Sequence, residues 1–262
     1  MNQIKTILER TYNDLSLRRN IIPLFLGNPG IGKTQIIYQF AKEKGVNIVE
    51  FIASTRSPFE ISGLAMPDTE LKRMTIFDFD EMLNLKDGDI LFLDELGNGN
   101  PATLNACLVL LEQRKFLSGK PLPDIMIVAA ANSQGMSPMT PQVKERFVWY
   151  NITFNANTWI NDYMIPKYNI TSSMGEKLSN LIKNEDFKGQ YNYNTPRSID
   201  KAIESIIKDL PTPYENRLYP ILHEMIYNTS DEPIVLKNNE LFIPGQGIPW
   251  LTLMKNNEIT TK

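Results

Sequence analysis

The sequence predicts a parallel α/β fold carrying a smaller helical unit. Over the first part of the chain, short apolar runs of strand length alternate with helix-period patterns. The first of these runs ends in a glycine-rich loop that leads straight into a helix. From about residue 154 to 230 the patterns are helical, separated by polar breaks. Strands that alternate with helices at this spacing need crossover connections, which gives a parallel sheet covered on both faces.

Each element has its own justification. Ile21-Ile22-Pro23-Leu24-Phe25-Leu26 is an apolar run ended by glycine, as expected of a buried parallel strand. In the helix that follows, Ile37, Phe40 and Ala41 fall at i, i+3 and i+4, and Gly45 stands where a helix end favours a left-handed residue. Asn47 to Ala53 and Asp89 to Leu93 are two further strand-like runs. Between them, Thr55 to Asp80 is broken by Pro58, Gly63 and Pro67 and carries no clear period. Pro101 opens a helix that reaches Phe116, with Leu104, Cys107, Leu108 and Leu111 on one face. Ile125 to Ala131 is the fourth strand. In the later part, Thr195-Pro196 is a helix cap and first turn, followed by a stripe of Ile199, Ala202, Ile203, Ile206 and Ile207. These patterns divide the chain into a core over 1–154, a helical unit over 155–230 and a terminal hairpin or tail over 231–262.

Composition narrows the class. The chain has 262 residues, 42% hydrophobic and 22% charged, with a formal net charge of −3. That is enough for a sizeable core, and it excludes a disordered chain or a strongly basic nucleic-acid surface, while leaving a local basic patch open. Cys107 is the one cysteine and falls in an apolar helical pattern, so it reads as a buried structural thiol. No apolar stretch reaches the ~18 residues of a membrane span, and the N-terminal residues lack a secretory core, so a cytoplasmic protein is expected. Glycosylation triplets begin at Asn151, Asn169 and Asn228, but an asparagine-rich chain produces them by chance. The lone histidine, His223, lies among apolar neighbours and reads as a packing residue. No cluster of zinc-type ligands is evident.

Gly27-Asn28-Pro29-Gly30-Ile31-Gly32-Lys33-Thr34 carries the strongest chemical signal. It satisfies G-x-x-x-x-G-K-[ST] between a strand and a helix, the context in which backbone N–H groups and a helix N-terminus cradle phosphates. Lys33 would meet the β- and γ-phosphates of ATP, and Thr34 would offer a hydroxyl to Mg²⁺. A chance glycine turn would match the spacing but not both flanks. The second signal is Ile90-Leu91-Phe92-Leu93-Asp94-Glu95, a strand ending in adjacent carboxylates at the sheet edge where α/β folds bind ligands. Asp94 is the candidate metal carboxylate, and Glu95 the candidate for polarising an attacking water. Solvated loop residues would explain the carboxylates alone, though not in partnership with a phosphate loop.

Gly27 to Thr34 resembles a Walker A motif, and Leu91 to Glu95 a Walker B motif, of AAA+ ATPases. Asn132, at the end of Ile127-Val128-Ala129-Ala130-Ala131, resembles the family's sensor 1. Lys144-Glu145-Arg146-Phe147 resembles its arginine-finger segment, and Thr195-Pro196-Arg197-Ser198 its sensor 2. The resemblance covers roughly residues 20 to 205. It implies a P-loop NTPase core with a C-terminal helical lid, in which Arg146 serves a neighbouring subunit's ATP and Arg197 acts in cis. A head-to-tail homo-oligomer, most often a hexameric ring, follows from the same resemblance.

Within AAA+ proteins the nearest likeness is to the MoxR-like group. Asp94-Glu95-Leu96 is followed by Asn100-Pro101 and Leu110-Leu111-Glu112-Gln113-Arg114, and Pro58 to Asp68 resembles the segment that this group places before its helix 2 insert. That likeness implies remodelling of a protein client, such as one with a von Willebrand A domain. One departure stands out. The group places Asn-Arg soon after the Walker B glutamate, where this chain has Gly97-Asn98-Gly99, and whether Arg114 replaces that arginine is open at this level. Two other classes fit the phosphate loop. A DNA-directed AAA+ protein, such as a helicase loader, is disfavoured by a pI of ≈ 5.4. A P-loop kinase or nucleotide switch is disfavoured by the carboxylate pair and Asn132, which favour water as acceptor.

Overall fold

Amphipathic periodicity starts the chain: α1 (Gln3–Asn13) turns Ile4, Leu8 and Thr11 inward, and Asp14 then caps α2 (Leu15–Asn20) by accepting from the Ser16 and Leu17 amides. The computed structural model describes residues 3–70, 72–134, 136–169, 172–183, 195–208, 222, 235–237 and 240–242. His223 and Asn228 lie outside the described residues, as does most of the segment after 208. The described chain divides into a unit over Met1–Thr153 and a unit over Phe154–Lys262.

The first unit is built on β1 (Pro23–Gly27), β2 (Ile48–Ile52), β5 (Ile90–Asp94), β6 (Met126–Asn132) and β7 (Val148–Asn151), in the order β2-β5-β6-β1-β7. Every neighbouring pair is parallel. The two faces explain why the central strands read as continuous apolar runs. Leu24, Leu91, Leu93, Ile127 and Ala129 point to one side, where Leu104, Cys107, Leu110 and Leu111 of α6 (Pro101–Gln113) and Ile61 of α4 (Pro58–Ser62) cover them. Phe25, Ile90, Phe92, Val128 and Ala130 point to the other, under Ile37, Phe40 and Ala41 of α3 (Lys33–Lys44) and Ile4 and Leu8 of α1. A sheet shielded on both faces has no solvated side to supply alternation.

Caps hold the helix boundaries where the sequence places them. Gly45 ends α3 in the left-handed region at φ 68, its N–H returning to the Ala41 and Lys42 carbonyls. Pro101 opens α6 behind Asn100, whose side chain accepts from the Ala102 amide. Cys107 is buried, as expected, with its thiol donating to the Thr103 carbonyl at 3.3 Å, and burial pushes its pKa up to about 12.

Three regions differ from the sequence reading. The broken stretch between β2 and β5 holds α4, an antiparallel hairpin of β3 (Leu64–Asp68) and β4 (Arg73–Phe77), and α5 (Asp80–Leu83). The fifth strand, β7, follows α7 (Pro141–Lys144) in the chain, and α6 stops at Gln113 rather than Phe116 because Arg114 turns to φ 51.

In the second unit, α8 (Ala156–Trp159) runs through a widened π turn at Ile160–Met164 into α9 (Ile165–Tyr168), followed by α10 (Ser172–Lys183) and α11 (Pro196–Ile207). Thr195 and Ser198 cap α11 reciprocally. Ile199, Ala202, Ile203 and Ile206 join Ile160, Met164 and Leu178 in a separate core. Ile207, expected in that stripe, is instead 49% exposed at the helix end. Two short strands, β8 (Val235–Lys237) and β9 (Glu240–Phe242), pair antiparallel. Among the described residues, no helix is long and apolar enough to cross a membrane.

Candidate nucleotide site

The C-terminal ends of β1, β5 and β6 bring most of the candidate residues to one edge of the sheet. In register, Gly27 lies beside Asn132, and β5 ends at Asp94 beside Ile52 of β2. Between β1 and α3 the chain crosses the Gly27–Thr34 loop, in which Asn28 and Pro29 are exposed and Lys33 is buried. Gly32 takes φ 90 as the residue that caps α3, a conformation that an L side chain resists. Gly27 has a different reason for being glycine, because a Cβ there would lie 2.7 Å from Ile31 Cδ1 and 2.8 Å from the Ile152 carbonyl oxygen.

Lys33 is 7% exposed, and its ammonium donates to the Gly27 carbonyl at 2.8 Å, the Asn28 carbonyl at 3.0 Å and Asn132 Oδ1 at 3.2 Å. A buried ammonium needs such acceptors. Here they hold the cation at the loop and tie the phosphate-loop lysine to the end of β6. Ser133 reinforces the same corner, its hydroxyl donating to Asn28 Oδ1 at 2.8 Å.

Thr34 Oγ1 donates to Asp94 Oδ2 at 2.8 Å, bringing a hydroxyl and a carboxylate together at the head of α3. Hard oxygen donors of this kind suit Mg²⁺, which is bound by one or two protein oxygens together with phosphates and water. Glu95, next along, is exposed and adopts φ 51, a strained value for a residue with a side chain. Its carboxylate accepts from the Ser54 hydroxyl, and its N–H donates to Asp94 Oδ1 at 2.7 Å. Ser54 escaped the sequence reading. It lies just past β2, and only the adjacency of β2 and β5 brings it to Glu95.

Arg146, beyond α7, lies away from this corner. Its Nη2 pairs with Glu112 Oε1 at 2.9 Å, at the end of α6. Arg197 is exposed on the first turn of α11, in the second unit. Arg114 is half-buried, with Nη2 donating to the Ile125 carbonyl at 2.5 Å, and burial lowers its pKa. The departure after Glu95 has a packing cause. Gly97 and Gly99 are buried, and a Cβ would meet Met136 Cγ at 3.0 Å in the first case and Leu104 Cδ2 at 2.9 Å in the second, so neither position has room for an arginine.

The parallel sheet, the loop before α3 and the carboxylates ending β5 define an AAA+ P-loop core. Its fold is shared with solved variants of RuvB from Thermotoga maritima: two superpose with TM-scores of 0.53 and 0.54 at 15% identity, covering 86% and 85% of this chain and 70% and 67% of theirs. A sequence model of the MoxR domain in the MoxR-vWA-beta-propeller ternary systems matches residues 15–158, and the chain belongs to that family of AAA+ ATPases. It is also similar to two uncharacterised proteins of Methanocaldococcus jannaschii, each 28% identical over 137 residues, or 52% of this chain. The chain spans about a third of the length of these relatives, the alignments covering 35% and 36% of them.

Proposed function

We propose that this chain binds ATP with Mg²⁺ in the Gly27–Thr34 loop and hydrolyses it as a subunit of a homo-oligomer, a hexameric ring being the arrangement its family favours. The observation that carries the reading is the convergence of Lys33, Asn132, Thr34, Asp94 and Glu95 at the ends of three adjacent strands. Residues 1–154 act as the nucleotide core, 155–230 as a lid and 231–262 as a terminal hairpin or tail.

Lys33 exchanges the Gly27 and Asn28 carbonyls for phosphate oxygens, so its charge is already desolvated and in place when the nucleotide arrives. Loop N–H groups and the N-terminus of α3 supply further donors. Thr34 and Asp94 would hold Mg²⁺, which would supply positive charge against the developing phosphate charge. Glu95, released from Ser54, polarises the attacking water, while Asn132 orients it from beside Lys33. Arg197 acts on the nucleotide of its own chain, and Arg146 on that of the neighbouring subunit.

The work of this cycle is remodelling of a protein partner, and the family's description supports a von Willebrand A domain as that partner. The test is phosphate release from ATP alone, measured against protein concentration. Lys33→Ala should abolish nucleotide binding. Glu95→Gln should bind ATP yet hydrolyse it about a hundredfold or more slowly, the range for a lost general base. The same variant, used as bait, should retain a protein partner. Purified protein with no affinity for adenine nucleotides at any concentration would overturn the proposal, and recovery of nucleic acid in place of a protein would overturn the choice of partner.

A further inference from the structure

We infer that Glu112 is a positioning residue for Arg146, bracing its guanidinium so that one terminal nitrogen faces outward to a neighbouring subunit's nucleotide. This rests on the proposed role of Arg146 and adds a partner within the same protomer. The two residues are 34 positions apart in sequence and meet because α6 ends beside the turn that follows α7.

The guanidinium has three nitrogens in three different settings. Nε is buried and has no hydrogen-bond partner among the described residues. Nη2 is fixed 2.9 Å from Glu112 Oε1. Nη1 makes no hydrogen bond among the described residues and is not buried, so it is the nitrogen free to meet an incoming acceptor. An ion pair at one terminal nitrogen narrows the rotamers open to the side chain, so that less ordering is left for the moment an acceptor meets the other terminal nitrogen. Beside it lies an open cleft of about 550 Å³ whose lining includes Glu112, Arg114 and Arg146, giving an acceptor room to approach. Arg114 offers no substitute brace, because it is itself a cation and its Nη2 is committed to the Ile125 carbonyl.

Glu112 is half-exposed, so the brace is weak: its loss should change a rate by about two- to fivefold, the scale of an exposed ion pair. It should also lose its effect as salt rises. A carboxylate that acted only on folding would slow hydrolysis whether or not Arg146 were present.

The experiment is a double-mutant cycle on the full chain, reading kcat at saturating protein and ATP for wild type, Glu112→Ala, Arg146→Ala and the pair, together with ATP affinity. Glu112→Ala is expected to lower kcat about two- to fivefold at low salt, with unchanged ATP affinity, and to have no further effect once Arg146 is alanine. Glu112→Gln, which keeps an acceptor oxygen, should fall between wild type and Glu112→Ala. An equal drop in both backgrounds, or no drop at all, overturns the brace while leaving the finger assignment standing. An Arg146→Ala variant as active as wild type instead removes the finger, and the brace with it.

Discussion

Replacing Gly27 by alanine tests the link between fold and site most directly, because one methyl group strikes both. The added carbon would lie 2.7 Å from Ile31 Cδ1 and 2.8 Å from the Ile152 carbonyl oxygen. The first contact is relieved by swinging the end of a flexible side chain. The second is not, since the Ile152 amide donates to the Leu26 carbonyl at 2.7 Å and holds that backbone against β1. Overpacking of this kind costs about 1–3 kcal/mol. At about 2–4 °C per kcal/mol for a domain of this size, the melting transition should fall by roughly 2–12 °C. The relief must come from β1 itself, whose Gly27 carbonyl accepts from the Lys33 ammonium, so the lysine loses its placement too. Affinity for ATP should weaken tenfold or more, equivalent to about 1.4 kcal/mol. Gly45→Ala is the control. No atom lies within 4 Å of its Cβ position and only the left-handed φ of 68 is at stake, so it should cost about 1 kcal/mol and leave nucleotide affinity unchanged. Thermal unfolding followed by circular dichroism, with titration of a fluorescent ATP analogue, reads both quantities. A Gly27→Ala variant with wild-type stability and affinity would refute the reasoning.

Other predictions follow from the buried groups and caps. Arg114→Ala should lower stability by about 1–3 kcal/mol, because the Ile125 carbonyl loses its donor, and should leave specific activity unchanged; lost activity at wild-type stability would return Arg114 to the subunit interface. Cys107, with its pKa raised from 9.0 to about 12, should present roughly a thousandth of the unfolded chain's thiolate at pH 8, so alkylation of the native protein should be negligible until it unfolds. Because the folded state holds that proton more tightly, the thiol's stabilising contribution is complete below pH 9 and declines as pH rises toward 12, and unfolding midpoints across that range should fall more steeply than those of Cys107→Ala. Thr195→Ala removes the cap of α11 and should cost about 1 kcal/mol, visible as faster hydrogen exchange in its first turn.

What the sequence made legible was local. The phosphate loop, the carboxylates ending β5 and the caps at Asn100 and Thr195 each depend on residues within a few positions of one another. The strands β1, β5 and β6 declare themselves because both of their faces are buried. The edge strand β7 does not, since Val148 and Asn151 are exposed and Trp149 and Tyr150 only half-buried. The β3–β4 hairpin hides for a similar reason, with Leu64, Met66, Met74 and Phe77 all exposed and Pro67 interrupting the run. Contacts that depend on strand order or on helix packing are the least legible of all. Ser54 reaches Glu95 only because β2 pairs with β5, and Glu112 reaches Arg146 only because α6 ends beside α7. Arg114 shows the same limit from the other side. Its place at the end of α6 suits an interface residue, yet at a backbone φ of 51 it is half-buried and its Nη2 donates to the Ile125 carbonyl. The arginine missing after Glu95 has its explanation in packing that only the fold reveals: Gly97 meets Met136 and Gly99 meets Leu104 across the chain, so neither position has room for a longer side chain, while Arg114 at the end of α6 is tied through its Nη2 to the Ile125 carbonyl.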